Sequence, residues 1–237
     1  MVRNFEEGEI ICIDKPLGWT SFDAVKRLRT VLLKRYGVKK FKVGHAGTLD
    51  PLATGVMIVC TGKATKLIDS LQAGVKEYIA TLALGATTPS FDMETEIDAR
   101  FPVDHIDRRL VEETLKRFTG TIEQIPPAFS ACKVDGKRAY KLARKGQDVE
   151  LKPKVLVIDT LELLDFTPQS IKIRVVCSKG TYIRALARDI GEALGSGAYL
   201  TTLRRTRVGE VTIDNCLSVD DAANMIKETE IIRNDAM

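Results

Sequence analysis

The segment from Gly44 to Gly55 gathers three glycines and a proline around one carboxylate, that of Asp50. Glycine adopts dihedrals that other residues resist, and Pro51 keeps Asp50 out of the helical region. The apolar run of residues 56–60 follows at once and predicts a buried strand. We therefore expect a rigid loop, anchored on a sheet, that presents Asp50 as a nucleophile or a base. A plain structural turn is the alternative, since aspartate before proline often starts a turn.

Apolar periodicity predicts the elements that must position this loop. A helix is expected to begin at a Ser21 cap, with Phe22, Val25, Leu28 and Leu32 on its apolar face. A second helix is expected after an Asp104 cap, a third over residues 181–194 and a short terminal one from Ser218; strands are expected over 9–14, 76–84, 155–163, 171–177 and 208–213. Because strands and helices mix without a βαβ repeat, we predict an α+β fold around a central, mainly antiparallel sheet flanked by helices.

Composition bounds the class of protein. The chain has 237 residues, of which 44% are hydrophobic and 29% are charged, and it has no linker or repeat, so we predict a single domain over 1–237. Its five cysteines form no Cys-x-x-Cys pair and its two histidines stand alone, which argues against a metal site and a disulfide framework. The amino terminus lacks the apolar core of a signal peptide, and no apolar run reaches membrane-spanning length. We expect a cytoplasmic protein without a membrane partner.

Positive charge is concentrated in residues 124–154. This segment carries eight basic and three acidic residues, a local charge of +5 within a chain whose net charge is +4. Phe129 and Tyr140 are interleaved with the charges, a pattern typical of contacts to phosphates and bases. We predict a segment that binds nucleic acid here, with a solvated helix face as the alternative.

The order of residues in the Asp50 loop resembles the catalytic motif of the TruB-type tRNA pseudouridine synthases. Six further motifs are similar to that family's motifs and occur in its order, and the resemblance extends from about residue 9 to about residue 213. They are residues 14–16 (DKP), 62–66 (GKATK), 76–78 (KEY), 124–131 (QIPPAFSA), 178–184 (SKGTYIR) and 203–205 (LRR).

The resemblance implies catalytic roles for three residues. Asp50 matches the aspartate that attacks the target nucleotide. Tyr78 matches a tyrosine that stacks on the target uracil and helps to remove its C5 proton. Arg184 matches an arginine that pairs with the aspartate, and a nearby cation would hold the aspartate ionised.

Four further residues match positions that bind the RNA. His45 matches a histidine that displaces the neighbours of the flipped nucleotide, and Leu203 matches an apolar residue packed against the target base. Lys15 and Lys63 match lysines near the path of the RNA.

By resemblance, the chain is expected to have the pseudouridine synthase fold and to isomerise the T-loop uridine of tRNA, uridine 55, to pseudouridine. The target base must leave its stack to be reached, which costs a few kcal/mol. The reaction needs no cofactor and no metal, and the expected partner is the T-arm stem-loop of tRNA, bound by a monomer. The basic 124–154 segment matches an insertion that clamps the RNA. About two dozen residues follow Ile213, so the small carboxyl-terminal PUA domain of many relatives is expected to be absent.

Two other functions compete with this interpretation. One is a non-catalytic module that binds tRNA or helps it to fold, which the set Asp50, Tyr78 and Arg184 argues against. The other is a hydrolase that uses Asp50 as a nucleophile, which would leave the basic segment unexplained. A hydrolase releases free uracil or an acid, whereas an isomerase releases nothing.

Overall fold

The computed structural model describes residues 2–130, 132–134, 137–139, 142, 147 and 151–230. The chain forms two compact units, one built from residues 1–77 and 204–237 and the other from residues 78–203. Both contain strands that pair mainly antiparallel and helices, so the predicted α+β class is confirmed. None of the helices described is long and apolar enough to cross a membrane.

The described residues form the following elements in chain order. The strands are β1 (Ile10–Lys15), β2 (Val43–Ala46), β3 (Ala53–Thr61), β4 (Lys76–Leu84), β5 (Ala86–Thr87), β6 (Ala99–Arg100), β7 (Gly120–Gln124), β8 (Lys133–Val134), β9 (Lys137–Arg138), β10 (Lys154–Thr167), β11 (Ser170–Cys177), β12 (Ala198–Val208), β13 (Val211–Thr212) and β14 (Leu217–Ser218). The helices are α1 (Ser21–Tyr36), α2 (Ile68–Ala73), α3 (Arg108–Arg117), α4 (Ile183–Ala193) and α5 (Val219–Glu228), with 3-10 turns at Gly62–Leu67 and Ile213–Asn215.

In the first unit, β14, β1, β3 and the end of β12 lie side by side, and β2 also pairs with β3. The register of β2 places His45 opposite Val59 and Ala46 opposite Ile58. Helices α1 and α5 cover this sheet with a shared core that includes Leu28, Leu32 and Ile226. Burial of such side chains contributes about 1.5–3 kcal/mol each, and it fixes the sheet on which the Asp50 loop stands.

In the second unit, the start of β12 is followed across the sheet by β4, β11, β10 and β7. Strands β7 and β10 pair antiparallel from Gly120 opposite Ile158 to Gln124 opposite Lys154. The apolar face of α4, with Ile183, Leu186 and Ile190, is buried. The predicted helix over 181–194 is therefore confirmed, and it begins two residues later.

Each predicted helix cap lies within one turn of the residue that caps the helix in the structure. Thr20 caps α1 and forms a capping box with Asp23, so Ser21 is already the first helical residue. Phe22 is 59% exposed and does not share the buried face of Val25 and Leu28. Asp107 caps α3 by accepting a hydrogen bond from the Leu110 amide at 2.7 Å, so Asp104 is not the cap.

The predicted strand over 208–213 is present only in part, as the last residue of β12 and the two-residue strand β13. Strand β12 ends at Val208, and β13 pairs back on it through Arg207 and Thr212. Apolar alternation does not predict β12, because residues 201–207 are mainly polar and an arginine occupies the buried position 205. This strand carries two of the motif residues discussed below.

Candidate active site

The Asp50 loop is held by hydrogen bonds to its backbone from α1 and from the turn before it. Ser21 Oγ accepts from the Leu49 amide at 2.9 Å and donates to the Leu49 carbonyl at 3.0 Å. The Gly18 amide donates to the Pro51 carbonyl at 2.8 Å, and the Ala53 amide donates to the Asp50 carbonyl at 3.0 Å. The predicted loop on a sheet is thus present between β2 and β3, with Asp50 half-buried.

Arg205 on β12 clamps the same loop from inside the first unit. Its side chain donates to the carbonyl oxygens of Val56 at 2.8 Å, Gly47 at 3.2 Å and Thr48 at 3.5 Å. The residue is only 2% exposed. A guanidinium can satisfy three carbonyls at once because its donors form a rigid planar fork. We infer that Arg205 is a positioning residue for Asp50.

Two glycines of the loop are required by its backbone conformation, and Gly55 also by the close approach of the β12 backbone. Gly55 has a φ of 107°, and a Cβ there would lie 2.1 Å from the Arg205 carbonyl oxygen. Gly47 has a φ of 96°, in the region that side-chain-bearing residues avoid. The glycines noted in the sequence therefore permit close approach of β12 as well as a turn.

Lys15 lies beneath the loop and not on the surface. It is fully buried, and its Nζ donates to the carbonyls of Pro16 at 2.9 Å and Trp19 at 2.6 Å. Burial lowers the pKa of Lys15 to about 8, and the charge of Asp50 partly offsets this. The ammonium therefore holds the turn over residues 16–19 and lies within electrostatic range of Asp50, which fits a supporting role better than a direct contact with RNA.

Lys15 makes the stability of the protein depend on pH. Since the pKa of Lys15 is lowered from 10.5 to about 8, the unfolded chain binds more protons at this residue between these values. The free energy of unfolding contributed by Lys15 should therefore rise as the pH increases from about 8 to about 10. Urea unfolding of the native protein and of Lys15→Met across this pH range measures the pH dependence of the free energy of unfolding. Lys63→Met is the control at an exposed lysine. Equal pH slopes for the native protein and Lys15→Met would contradict the assignment.

His45 and Lys63, also in the first unit, differ in their surroundings. Burial lowers the pKa of His45, a hydrogen bond with the backbone of Gly47 opposes this, and the charge of Arg205 adds to the lowering. The imidazole is therefore neutral at pH 7. Lys63 sits on the 3-10 turn after β3 and forms an ion pair with Glu7 at 2.7 Å, so it would have to leave this partner to bind a phosphate.

The second unit carries Tyr78, Leu203 and Arg184. Tyr78 is 8% exposed on the buried face of β4, and Leu203 is half-buried on β12. Arg184 is in the first turn of α4 and is 5% exposed. Each is thus placed by a regular element, as expected of side chains that must keep one orientation.

Residues of the second unit fix the orientation of the Arg184 side chain. Its guanidinium donates to the carbonyls of Phe129 at 2.8 Å and Ser90 at 3.2 Å, and its Nε lies 3.6 Å from the carboxylate of Asp92. Asp92 is itself 5% exposed and accepts from the Glu94 amide at 2.9 Å. Sequence reasoning missed Asp92, because an aspartate in a polar loop gives no signal of a buried partner 92 residues away.

The 124–130 motif is tied to the start of α4. Gln124 Oε1 accepts from the Tyr182 amide at 2.9 Å, and its Nε2 donates to the Tyr182 carbonyl at 3.2 Å. Cys132 Sγ lies 3.2 Å from the Tyr182 hydroxyl. Most of the basic residues predicted to bind RNA between 124 and 154 lie outside the described residues or have side chains that are not described. Tyr140 also lies outside the described residues. Lys152 and Lys154 are described.

Two protein-family models match the chain in succession. Residues 34–183 match the TruB family pseudouridylate synthase N-terminal domain. Residues 184–234 match the tRNA pseudouridylate synthase B C-terminal domain. Together the matches include Asp50, Tyr78, Arg184 and Arg205.

Relatives match over almost the full length of the chain. A tRNA pseudouridine synthase B of Phocaeicola vulgatus is 68% identical over 96% of this chain and 97% of its own length. The enzymes of the same name from Bacteroides fragilis and Flavobacterium johnsoniae are 67% and 52% identical, and each is covered over at least 95% of its length.

Two solved structures with the same fold are of complexes that include Cbf5 and Nop10. A Cbf5-Nop10-Gar1 complex contains a chain that matches with a TM-score of 0.70 and 28% identity, and an archaeal box H/ACA sRNP Nop10-Cbf5 complex contains one with a TM-score of 0.67 and 26% identity. The matches cover 95% and 94% of this chain but only 57% and 55% of those chains.

Proposed function

This chain belongs to the TruB family of pseudouridylate synthases, and we propose that it isomerises the T-loop uridine of tRNA, uridine 55, to pseudouridine. The bond between N1 and C1′ breaks, the uracil rotates, and a bond from C5 to C1′ forms while the C5 proton is lost and N1 gains one. The reaction is redox-neutral. The observation that carries the proposal is the Asp50 carboxylate on a loop whose backbone is fixed by Ser21, Gly18 and Arg205.

The family resemblance supplies the roles of the other groups. Asp50 adds to the target nucleotide, at uracil C6 or ribose C1′, as a covalent nucleophile. Tyr78 stacks on the uracil and assists removal of the C5 proton, and Arg184 keeps the aspartate ionised. Leu203 packs against the base and His45 enters the RNA loop, where a neutral imidazole costs little to desolvate. Flipping costs a few kcal/mol, which these contacts offset.

The T-arm stem-loop of tRNA is the proposed ligand, with the 124–154 segment clamping it within a single catalytic domain over 1–237. A cytoplasmic monomer is the proposed state.

Incubation with an unmodified tRNA transcript tests the function. We expect the protein to convert one uridine per tRNA to pseudouridine, counted by mass spectrometry of nucleosides, with no release of free uracil. A transcript carrying cytidine at position 55 should give no product. Free uracil in place of pseudouridine would indicate a hydrolase, and tight binding without conversion would leave only a tRNA-folding module.

Asp92→Asn is expected to lower kcat by about 10- to 100-fold. The amide keeps the shape of the side chain but removes the negative charge 3.6 Å from Arg184 Nε, so the buried guanidinium loses an ion pair and its orientation loosens. The measurement is the rate under saturating tRNA. Asp98→Asn, at an exposed aspartate that accepts from Thr87 at 2.6 Å, is the matched control. A rate equal to that of the control would exclude Asp92 from the positioning of Arg184.

A further inference from the structure

The first unit carries a cluster of basic residues that the 124–154 segment does not include. Within nine residues from 34 to 42, which we call the 34–42 tract, the chain has five cations and no acidic residue; they are Lys34, Arg35, Lys39, Lys40 and Lys42. All five are exposed. Within the described part of the chain, the side chains of Lys34, Lys39, Lys40 and Lys42 form no ion pair.

Several exposed arginines of the described chain are neutralised by carboxylates. Arg108 and Arg109 on α3 pair with Glu112 and Glu113, at 3.1 Å and 2.9 Å. Arg174 pairs with Glu162 at 2.9 Å. Within the described residues, the lysines of the 34–42 tract have no such partner and are clustered within nine residues, and a run of unneutralised cations costs self-repulsion unless a polyanion is bound.

The tract is held in place by its own aromatic residues. Tyr36 is 5% exposed and packs its ring 5.0 Å from that of Phe41, and both belong to or pack against the core under α1. The Tyr36 hydroxyl accepts from the Phe5 amide at 3.2 Å. With Tyr36 and Phe41 turned inward, Lys39, Lys40 and Lys42 remain on the outside of a fixed turn. Little conformational entropy of the backbone is lost when such a turn binds a ligand.

The tract leads directly into the catalytic loop. Lys42 precedes β2, whose four residues span about 13 Å before the loop begins. The Lys42 carbonyl accepts from the Gly62 amide at 2.9 Å, which ties the end of the tract to the 3-10 turn that carries the exposed Lys66. Acidic neighbours are Glu7, which is engaged by Lys63, Asp69 on α2, and Glu228 and Glu230 near Arg35.

We propose that the 34–42 tract binds the sugar-phosphate backbone of tRNA at nucleotides outside the target loop. The inference rests on the proposed function, because a uridine bound at Asp50 brings the rest of the RNA within reach of the tract. At about 13 Å or more from the loop, the lysines meet phosphates of other nucleotides and not those of the target. Such contacts are independent of sequence and depend strongly on salt. They contribute to affinity and to the rate of association.

The test replaces Lys39, Lys40 and Lys42 together by glutamine. We expect the dissociation constant for unmodified tRNA to rise about 10-fold or more near 100 mM salt, and the slope of log K against log salt to fall by about 2–3. The loss should appear in KM rather than in kcat. The matched control replaces Arg108, Arg109 and Lys116 of α3 by glutamine, which removes the same charge from another exposed face. Thermal unfolding of both variants verifies that they are folded.

The outcomes separate this inference from the proposed function. If the native protein converts tRNA but the tract variant binds it with the affinity and salt slope of the α3 variant, the tract is a solvated surface and the inference is wrong. The inference is also wrong if the substitutions in the tract lower kcat alone. If the native protein binds tRNA with the expected dependence on the tract but forms no pseudouridine, the proposed function fails while the binding surface stands.

Discussion

Asp50→Asn is expected to abolish pseudouridine formation while tRNA binding stays close to that of the native protein. The amide has nearly the shape of the carboxylate but is neither a nucleophile nor a base, so kcat should fall by at least about 10³-fold. The loop should keep its conformation because Ser21, Gly18 and Arg205 hold its backbone. Single-turnover conversion measured beside tRNA affinity separates the two effects.

The control for this variant is Asp159→Asn, at an exposed position of β10. It should convert tRNA at the native rate. Retention of more than a tenth of the native rate by Asp50→Asn would exclude the aspartate as the nucleophile.

Arg205→Gln is expected to lower kcat by about 100-fold with a much smaller change in KM. The variant loses the guanidinium that reaches the carbonyls of Gly47, Thr48 and Val56. A displacement of a catalytic group by about 1 Å can cost about 100-fold in rate. Arg205→Lys should recover little, because a single ammonium cannot satisfy three carbonyls in a plane.

The Arg205 prediction needs a control for general loss of stability, since unsatisfied buried carbonyls cost about 1–3 kcal/mol each. Arg207→Gln changes the same residue type on the same strand, where the side chain donates to Gly209 and not to the loop. Hydrogen exchange should rise at residues 47–53 in Arg205→Gln and stay unchanged in Arg207→Gln. Equal loss of kcat in both variants would show that Arg205 acts only through the stability of β12.

The Asp50 loop could be predicted because its chemistry is local in sequence. Glycines, Pro51 and the following apolar run are contiguous, and their dihedral preferences act within a few residues. The 203–205 motif includes Arg205, but its role could not be predicted, because its acceptors are 149 to 158 residues away and a buried arginine with carbonyl partners leaves no periodic pattern. The same reason hid β12, whose polar residues alternate with few apolar ones.

The summed charge of a segment reveals one basic region of this chain and conceals another. A segment sum located the basic 124–154 segment but left the rest of the chain near neutrality, which concealed the 34–42 tract. A sum cannot show that Arg108 and Arg109 of α3 are paired while the lysines of the tract, within the described residues, are not. Pairing depends on which side chains share a surface, and the sequence does not state that. Lys15 illustrates the converse, since a lysine in a binding motif proved to be buried under the loop.

The most direct test of the central claim is a single-turnover assay on tRNA in which position 55 carries the one uridine labelled with tritium at C5. Isomerisation joins C1′ to C5 and must release that hydrogen to water. The account predicts one tritium released per tRNA by the native protein and none by Asp50→Asn, with the tRNA intact and no free uracil. Retention of the label by the native protein, or equal release by Asp50→Asn, would contradict it.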